Sequence, residues 1–201
     1  MTQVYSFSFI KNNYRKIMKL PSVLVLSLFL GITTFGHAGE FTDKLDGDLI
    51  KFNGKRAANV PKGSLSGKTV IALYFSAHWC PPCREFTPTL AATYTELSAK
   101  YPQFELVFVS WDKSEKDMED YMESGKMNYP AINFKDLDKY KIIKQLNVKS
   151  IPHMVVVDVD GNVLSNNGEP LRDHAVTLVS KLDSFLAQPA PTPTPTTSTT
   201  P

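Results

Sequence analysis

The sequence predicts an α/β domain, a central β-sheet with helices on its faces, and three observations carry that reading. Strand-like and helix-like patterns alternate between Phe41 and about Ala187, the signature of helices laid over a sheet. Three short runs, Val70 to Phe75, Phe104 to Ser110 and His153 to Val157, are largely apolar and β-prone, as strands buried on both faces must be. Phe86, Leu90, Tyr94 and Leu97 recur at spacings of four, four and three, which puts them on one face of a helix.

Ahead of the first core strand, Phe41 to Gly67 mixes Gly, Lys and Asp with scattered apolar residues, and a short hairpin packed on the domain is expected there. Val70 to Phe75 is the first core strand, and the amphipathic helix follows over Pro82 to Lys100. Phe104 to Ser110 is the second strand. Ser114 has the chemistry of an N-cap, so a second helix runs from it to about Ser124 and stops at Gly125. Asp138 to Asn147 reads as a third helix and His153 to Val157 as the third core strand. Asp158-Val159-Asp160-Gly161-Asn162 is a turn signal into a short strand, Val163 to Ser165. A fourth helix is expected over Arg172 to Leu186. No internal repeat is visible.

Both ends differ from this pattern. Lys11, Arg15, Lys16 and Lys19 precede an apolar stretch from Leu20 to about Phe35, and Gly36-His37-Ala38 offers small residues for cleavage before Gly39. That is the layout of a secretory signal peptide over 1–38. Met18-Lys19 would give a more usual signal length, so Met18 is a candidate for the true start. The apolar run is slightly short for a spanning helix, which favours cleavage over a retained anchor. No cysteine lies near the cleavage point, which argues against a lipid anchor. At the other end, residues 188–201 are almost entirely Pro and Thr; such a tract buries no apolar surface and is expected to be a disordered tail or spacer.

Charge depends on the leader. The 22 Lys and Arg against 20 Asp and Glu give +2. Without the leader's four cations, 18 remain against 20, or −2. A near-neutral mature chain has no electrostatic footprint for nucleic acid, and its length suits one domain.

The chemistry is concentrated at Trp79-Cys80-Pro81-Pro82-Cys83, which holds both cysteines of the chain. A disulfide across that spacing closes a tiny loop and restricts the unfolded chain little; it suits a reversible two-electron couple better than a staple. The motif follows a strand and opens a helix, whose unpaired N–H groups and partial positive charge stabilise a thiolate. Cys80 presents its sulfur there and is the expected nucleophile. Cys83, one turn further in and more covered, is the expected resolving thiol. Comparable settings lower a cysteine pKa from about 8.5 into the range of about 3.5 to 7.5. Pro81 and Pro82 remove N–H groups that would be unpaired anyway and stiffen the loop between the sulfurs. A zinc site built on this pair lacks its remaining ligands: no second CxxC and no close histidine pair exist, so no metal is expected.

From Leu65 to about Leu182 the chain resembles the thioredoxin-like superfamily, in particular thiol-disulfide oxidoreductases of the nucleoredoxin and tryparedoxin type. The resemblance rests on Leu73-Tyr74-Phe75-Ser76-Ala77-His78 followed by the CxxC and Arg84-Glu85-Phe86-Thr87-Pro88, on Phe108-Val109-Ser110-Trp111-Asp112, and on Ile151-Pro152 before an apolar strand. It implies a thioredoxin-like fold with a mixed central sheet in a single domain over 39–187. Pro88 matches the family's kinking proline. Pro152 takes the place of a proline with a cis peptide bond beside the sulfurs, where Ile151 and Pro152 offer backbone to an incoming peptide. Trp79 becomes an apolar rim over Cys80 rather than an ordinary packed aromatic.

Two positions depart from relatives. Thioredoxins proper carry a buried acid six residues before the first cysteine, where this chain has Tyr74, so the proton acceptor for Cys83 is left to water or a carboxylate such as Glu85. His153 follows Pro152 where Thr is common. It either stabilises a Cys80 thiolate when protonated or faces solvent without a role. His78 is the weaker candidate of the two histidines.

Together with the leader, the resemblance implies an exported thiol-disulfide oxidoreductase that reduces protein disulfides, needs no cofactor, acts as a monomer, and is re-reduced by a membrane or exported thiol partner. The compartment expected is the bacterial periplasm, with an extracellular location as the alternative. A disulfide oxidant or isomerase of the same fold and a catalytically silent peptide-binding module are the competing functions.

Overall fold

A computed structural model of the protein describes residues 39–166 and 186–187, all within the unit Phe35–Pro201. The expected signal over 1–38, nearly all of the helix from Arg172 to Leu186, and the tail over 188–201 lie outside the described residues.

The elements run α1 (Glu40–Leu45), β1 (Leu49–Phe52), β2 (Ala57–Asn59), β3 (Val70–Ser76), α2 (Pro81–Lys100), β4 (Phe104–Ser110), α3 (Glu115–Ser124) and β5 (Ala131–Ile132). A 3-10 helix over Phe134–Lys139, α4 (Lys141–Gln145), β6 (His153–Asp158) and β7 (Val163–Asn166) follow. The seven strands form one mixed sheet in the order β2-β1-β5-β4-β3-β6-β7. β3 lies between β4, parallel to it, and β6, antiparallel to it. All seven residues of β3 and all seven of β4 are buried, which is why both read as unbroken apolar runs rather than alternating ones.

Alternation along β3 divides the core. Ala72 and Tyr74 face a cluster built with Phe86, Leu90, Tyr94 and Leu97 of α2 and Met118, Tyr121 and Met122 of α3. Ile71, Leu73 and Phe75 face the other side, against Phe41 and Leu45 of α1, Val107, Val109, Tyr140 and Leu146. Leu186 is buried in the first cluster.

Register positions the chemistry. Pairing of Ser76 with Ser110 and of Phe75 with His153 brings the end of β3, the end of β4 and the start of β6 to one edge. Cys80 and Pro152 therefore approach from opposite chain directions at the same end of the sheet.

The expected hairpin of the N-terminal region is β1 and β2, paired antiparallel. The sequence gives no sign of α1 before it, because six residues are too few for a periodic pattern. α1 is held by tertiary contact: the Thr42 N–H donates to the Val159 carbonyl at 3.1 Å and the Glu40 N–H to Asp160 Oδ1 at 3.2 Å. Gly39 fits only without a side chain, since a Cβ there would collide with the Val159 carbonyl group. The third expected helix is shorter and starts differently. A 3-10 turn capped by Asn133, whose side chain accepts from the Lys135 N–H, precedes α4, and Asn147 follows with φ 53°, a conformation asparagine tolerates. β5, two residues long, carries no readable pattern.

α3 begins as expected, with Ser114 Oγ accepting from the Asp117 N–H at 3.1 Å. Its end differs in mechanism. Gly125 keeps φ −78° while Lys126 takes φ 52°. Glycine is needed at 125 for close approach: a Cβ would stand 2.7 Å from Thr87 Cγ2 and 2.9 Å from the Tyr121 carbonyl oxygen.

Candidate active site

Cys80 is the N-cap of α2, with φ −92° and ψ 108°. Its N–H donates to the Ala77 carbonyl at 3.2 Å and its carbonyl accepts from the Arg84 N–H at 3.1 Å. Pro81 and Pro82 occupy the first two helical positions, so the helix starts with its missing donors already accounted for. Cys80 and Cys83 are disulfide-bonded, with Cα atoms 5.2 Å apart. Cys80 is 4% exposed and Cys83 fully buried. Of the two, only the cysteine at the helix entrance keeps any solvent exposure.

The Ile151–Pro152 peptide bond is cis, and the Ile151 carbonyl oxygen lies 3.8 Å from Cys80 Sγ. Ile151 packs against both core clusters, which fixes this backbone beside the sulfurs.

Trp79 is 53% exposed, and its indole N–H donates to the Trp111 carbonyl at 3.0 Å. The loop after β4 also grips the turn before the cysteines. Asp112 Oδ1 accepts from the His78 N–H at 2.7 Å, Oδ2 accepts from the Ser110 hydroxyl at 2.8 Å, and the Trp111 N–H donates to the Ser76 carbonyl. Asp112 is half-buried, and burial pushes its carboxyl above the ordinary value despite those hydrogen bonds. The Trp111-Asp112 pair is visible in the sequence as a motif, but its clasp on the CxxC turn is not.

Tyr74 is fully buried beneath α2. Its hydroxyl lies 2.9 Å from Thr87 Oγ1, and burial pushes its phenol far above the ordinary value. It is a neutral hydroxyl at working pH and cannot take a proton from Cys83. Glu85 is on the exposed side of α2, so it does not supply a buried acceptor either. Thr87, Tyr121 and Ser76 complete the polar group under Cys83, and sequence reading missed all three roles because they depend on α3 folding back over the sheet.

His153 is buried, which removes the solvent-facing one of its two expected alternatives: its place on β6 opposite Phe75 turns it into the sheet's second face. Its Nε2 pairs with Asn166 Oδ1 at 2.8 Å, its ring meets Phe75 edge-on, and Nδ1 has no partner among the described residues. His78 stacks on Tyr121 with ring centroids 5.6 Å apart. Among the described residues no three His, Cys, Asp or Glu side chains are grouped to hold a metal ion.

Beside Trp111 a groove of about 230 Å³ is lined chiefly by Phe75, Val109, Leu137, Ile143 and Val148. It runs from Trp111 to Ile143 and Lys144 of α4.

A cysteine pair at a helix entrance beside a cis-proline backbone defines a class, and the comparisons agree with it. The family model described as thioredoxin-like matches residues 67–163. The chain belongs to the thioredoxin-like oxidoreductase family. Within it, the tryparedoxin of Trypanosoma brucei brucei is 44% identical over 106 residues, 52% of this chain and 71% of that protein. A probable nucleoredoxin 1 of Arabidopsis thaliana is 35% identical over 127 residues, 63% of this chain but 22% of that protein, so the chain spans under a quarter of that relative's length. The crystal structure of thioredoxin from Wuchereria bancrofti, 38% identical, superposes with a TM-score of 0.54 over 72% of this chain and 98% of that one.

Proposed function

We propose that this protein is an exported thiol-disulfide oxidoreductase that reduces protein disulfides. Cys80, as thiolate, attacks one sulfur of a substrate disulfide, and the other substrate sulfur leaves as a thiolate that takes up a proton. The Cys83 thiol then loses its proton and attacks Cys80 Sγ, which frees the second substrate thiol and leaves the Cys80–Cys83 disulfide. Two electrons pass to the substrate. An exported or membrane dithiol returns them, since an oxidising compartment does not.

The observation that carries this reading is the placing of Cys80 at the N-cap of α2 with the Ile151 carbonyl 3.8 Å from its sulfur. An extended substrate pairs with the backbone at Ile151 and Pro152, its cystine meets Cys80 under the rim of Trp79, and an apolar flank fills the groove beside Trp111. Residues 1–38 supply the export signal in this reading.

Reduction of insulin disulfides by the dithiol form tests the enzyme: a folded protein with no turnover overturns it. Equilibration in graded glutathione buffers tests direction, and a potential near −120 mV, that of a strong oxidant, would replace reductase by oxidase. In Cys83→Ala, Cys80 is expected to retain substrates as mixed disulfides.

A further inference from the structure

Four buried side chains beneath Cys83 form a hydroxyl cluster whose hydrogens can be assigned by counting. Thr87 Oγ1 has three oxygen neighbours: the Cys83 carbonyl at 2.9 Å, Tyr74 Oη at 2.9 Å, and Tyr121 Oη. A threonine hydroxyl has one hydrogen and two lone pairs. The carbonyl can only accept, so the Thr87 hydrogen goes to Cys83 and both phenols donate to Thr87. Tyr121 has then spent its hydrogen, so Ser76, 2.8 Å away, donates to Tyr121. With each of these contacts made as a hydrogen bond, the consistent direction is Ser76 to Tyr121 to Thr87 to the Cys83 carbonyl, with Tyr74 joining at Thr87. All four residues are buried, so a reversed or broken link leaves a buried polar group unpaired. Burial also pushes both phenols above their ordinary values, which keeps their hydrogens in place.

The cluster acts where α2 is weakest. Pro88 has no N–H, so the Arg84 carbonyl loses its helical donor; separately, the guanidinium of Arg84 donates to the His78 carbonyl and ties this turn to the segment before the cysteines. Gly125 lets the end of α3 close on Thr87 Cγ2, which holds the threonine side chain in place.

We propose that Thr87 is a positioning residue of the dithiol: its hydroxyl, loaded from the sheet and from α3, pins the Cys83 carbonyl and thereby the geometry from which Cys83 meets Cys80. The proposal rests on the reading of Cys80 and Cys83 as a redox couple. A pinned first turn raises the effective concentration of one thiol at the other, so the hydroxyl favours the disulfide and speeds resolution of the mixed disulfide.

The test is the equilibrium of Cys80 and Cys83 with glutathione, measured for the wild type, Thr87→Val and Thr87→Ser. Valine keeps the shape and removes the hydroxyl. Its equilibrium constant for disulfide formation is expected to fall by about three- to tenfold, a tenfold fall being 29.6 mV toward a more oxidising potential, and its mixed disulfide with glutathione is expected to last longer. Serine restores both. A lowered Tm with an unchanged constant makes Thr87 merely structural and overturns the proposal. If Thr87→Val does not fold, Tyr74→Phe and Tyr121→Phe each remove one donor to the same oxygen and must move the constant the same way; no movement in either overturns it equally. The measurement needs no protein substrate, so a wild type that fails to reduce insulin but shows the shift sinks the reductase reading alone.

Discussion

The indole N–H of Trp79 donates to the backbone carbonyl of Trp111 at 3.0 Å, which ties the residue before the nucleophile to the loop after the neighbouring strand. Trp79 thus has a defined orientation despite its exposure. Replacing it by Phe keeps an apolar rim and removes the tie. An exposed hydrogen bond contributes about 1 kcal/mol, so Tm is expected to drop by no more than about 4 °C while the insulin reduction rate falls several-fold. An unchanged rate would show that the orientation of this rim is irrelevant to substrate capture.

Asp112 gives a pH signature. A carboxyl raised on folding contributes its stability below the ordinary value of 3.8 and loses that contribution as pH climbs through the folded-state value. Asn at 112 can keep the His78 N–H on its oxygen and donate its amide to Ser110 Oγ, with no charge to bury. The Tm of Asp112→Asn relative to wild type is therefore expected to rise between pH 3 and pH 7. A difference that stays flat over that range contradicts the burial cost.

The end of α3 makes two opposite predictions from adjacent positions. Gly125→Ala forces a methyl against Thr87 and the Tyr121 carbonyl and is expected to destabilise by about 1–3 kcal/mol. Lys126→Gly relieves a left-handed backbone and is expected to stabilise by up to about 1 kcal/mol. Denaturant midpoints of the two variants, moving in opposite directions, check both.

At the far end of the sheet, the Lys68 ammonium lies 3.3 Å from Glu105 Oε2 and 2.8 Å from the Phe104 carbonyl, while Tyr94 donates to Glu105 Oε1 at 2.6 Å. Removing one partner of a largely buried pair strands the other charge. Lys68→Met is expected to cost about 3 kcal/mol with the glutathione equilibrium unchanged, which a urea titration and a redox titration read separately.

Legibility followed the kind of signal each part carries. β3, β4 and β6 were readable because burial on both faces demands unbroken apolar runs, and α2 because Phe86, Leu90, Tyr94 and Leu97 share one buried face. Ser114 announced α3 by local hydrogen bonding. α1 and β5 were not readable, since their stability comes from Val159, Asp160 and Phe108, remote in sequence. Within the site, Cys80 and Cys83 are a local motif. The cluster of Ser76, Thr87 and Tyr121 is made by three separate elements, and hydroxyl-bearing residues are too common for their spacing to mark it. His153 was visible as an unusual residue, but which face of β6 it takes is a matter of register.

The clasp between α1 and the turn after β6 has a bearing on the order of events in folding. Thr42 finds its partner 117 residues further along the chain, and a six-residue helix is unstable alone. On a chain made amino end first, this helix appears well before the turn after β6 that holds it, and it settles only once β6 and β7 have formed. Until then the apolar face of Phe41 and Leu45 is open to any holding factor that meets the chain.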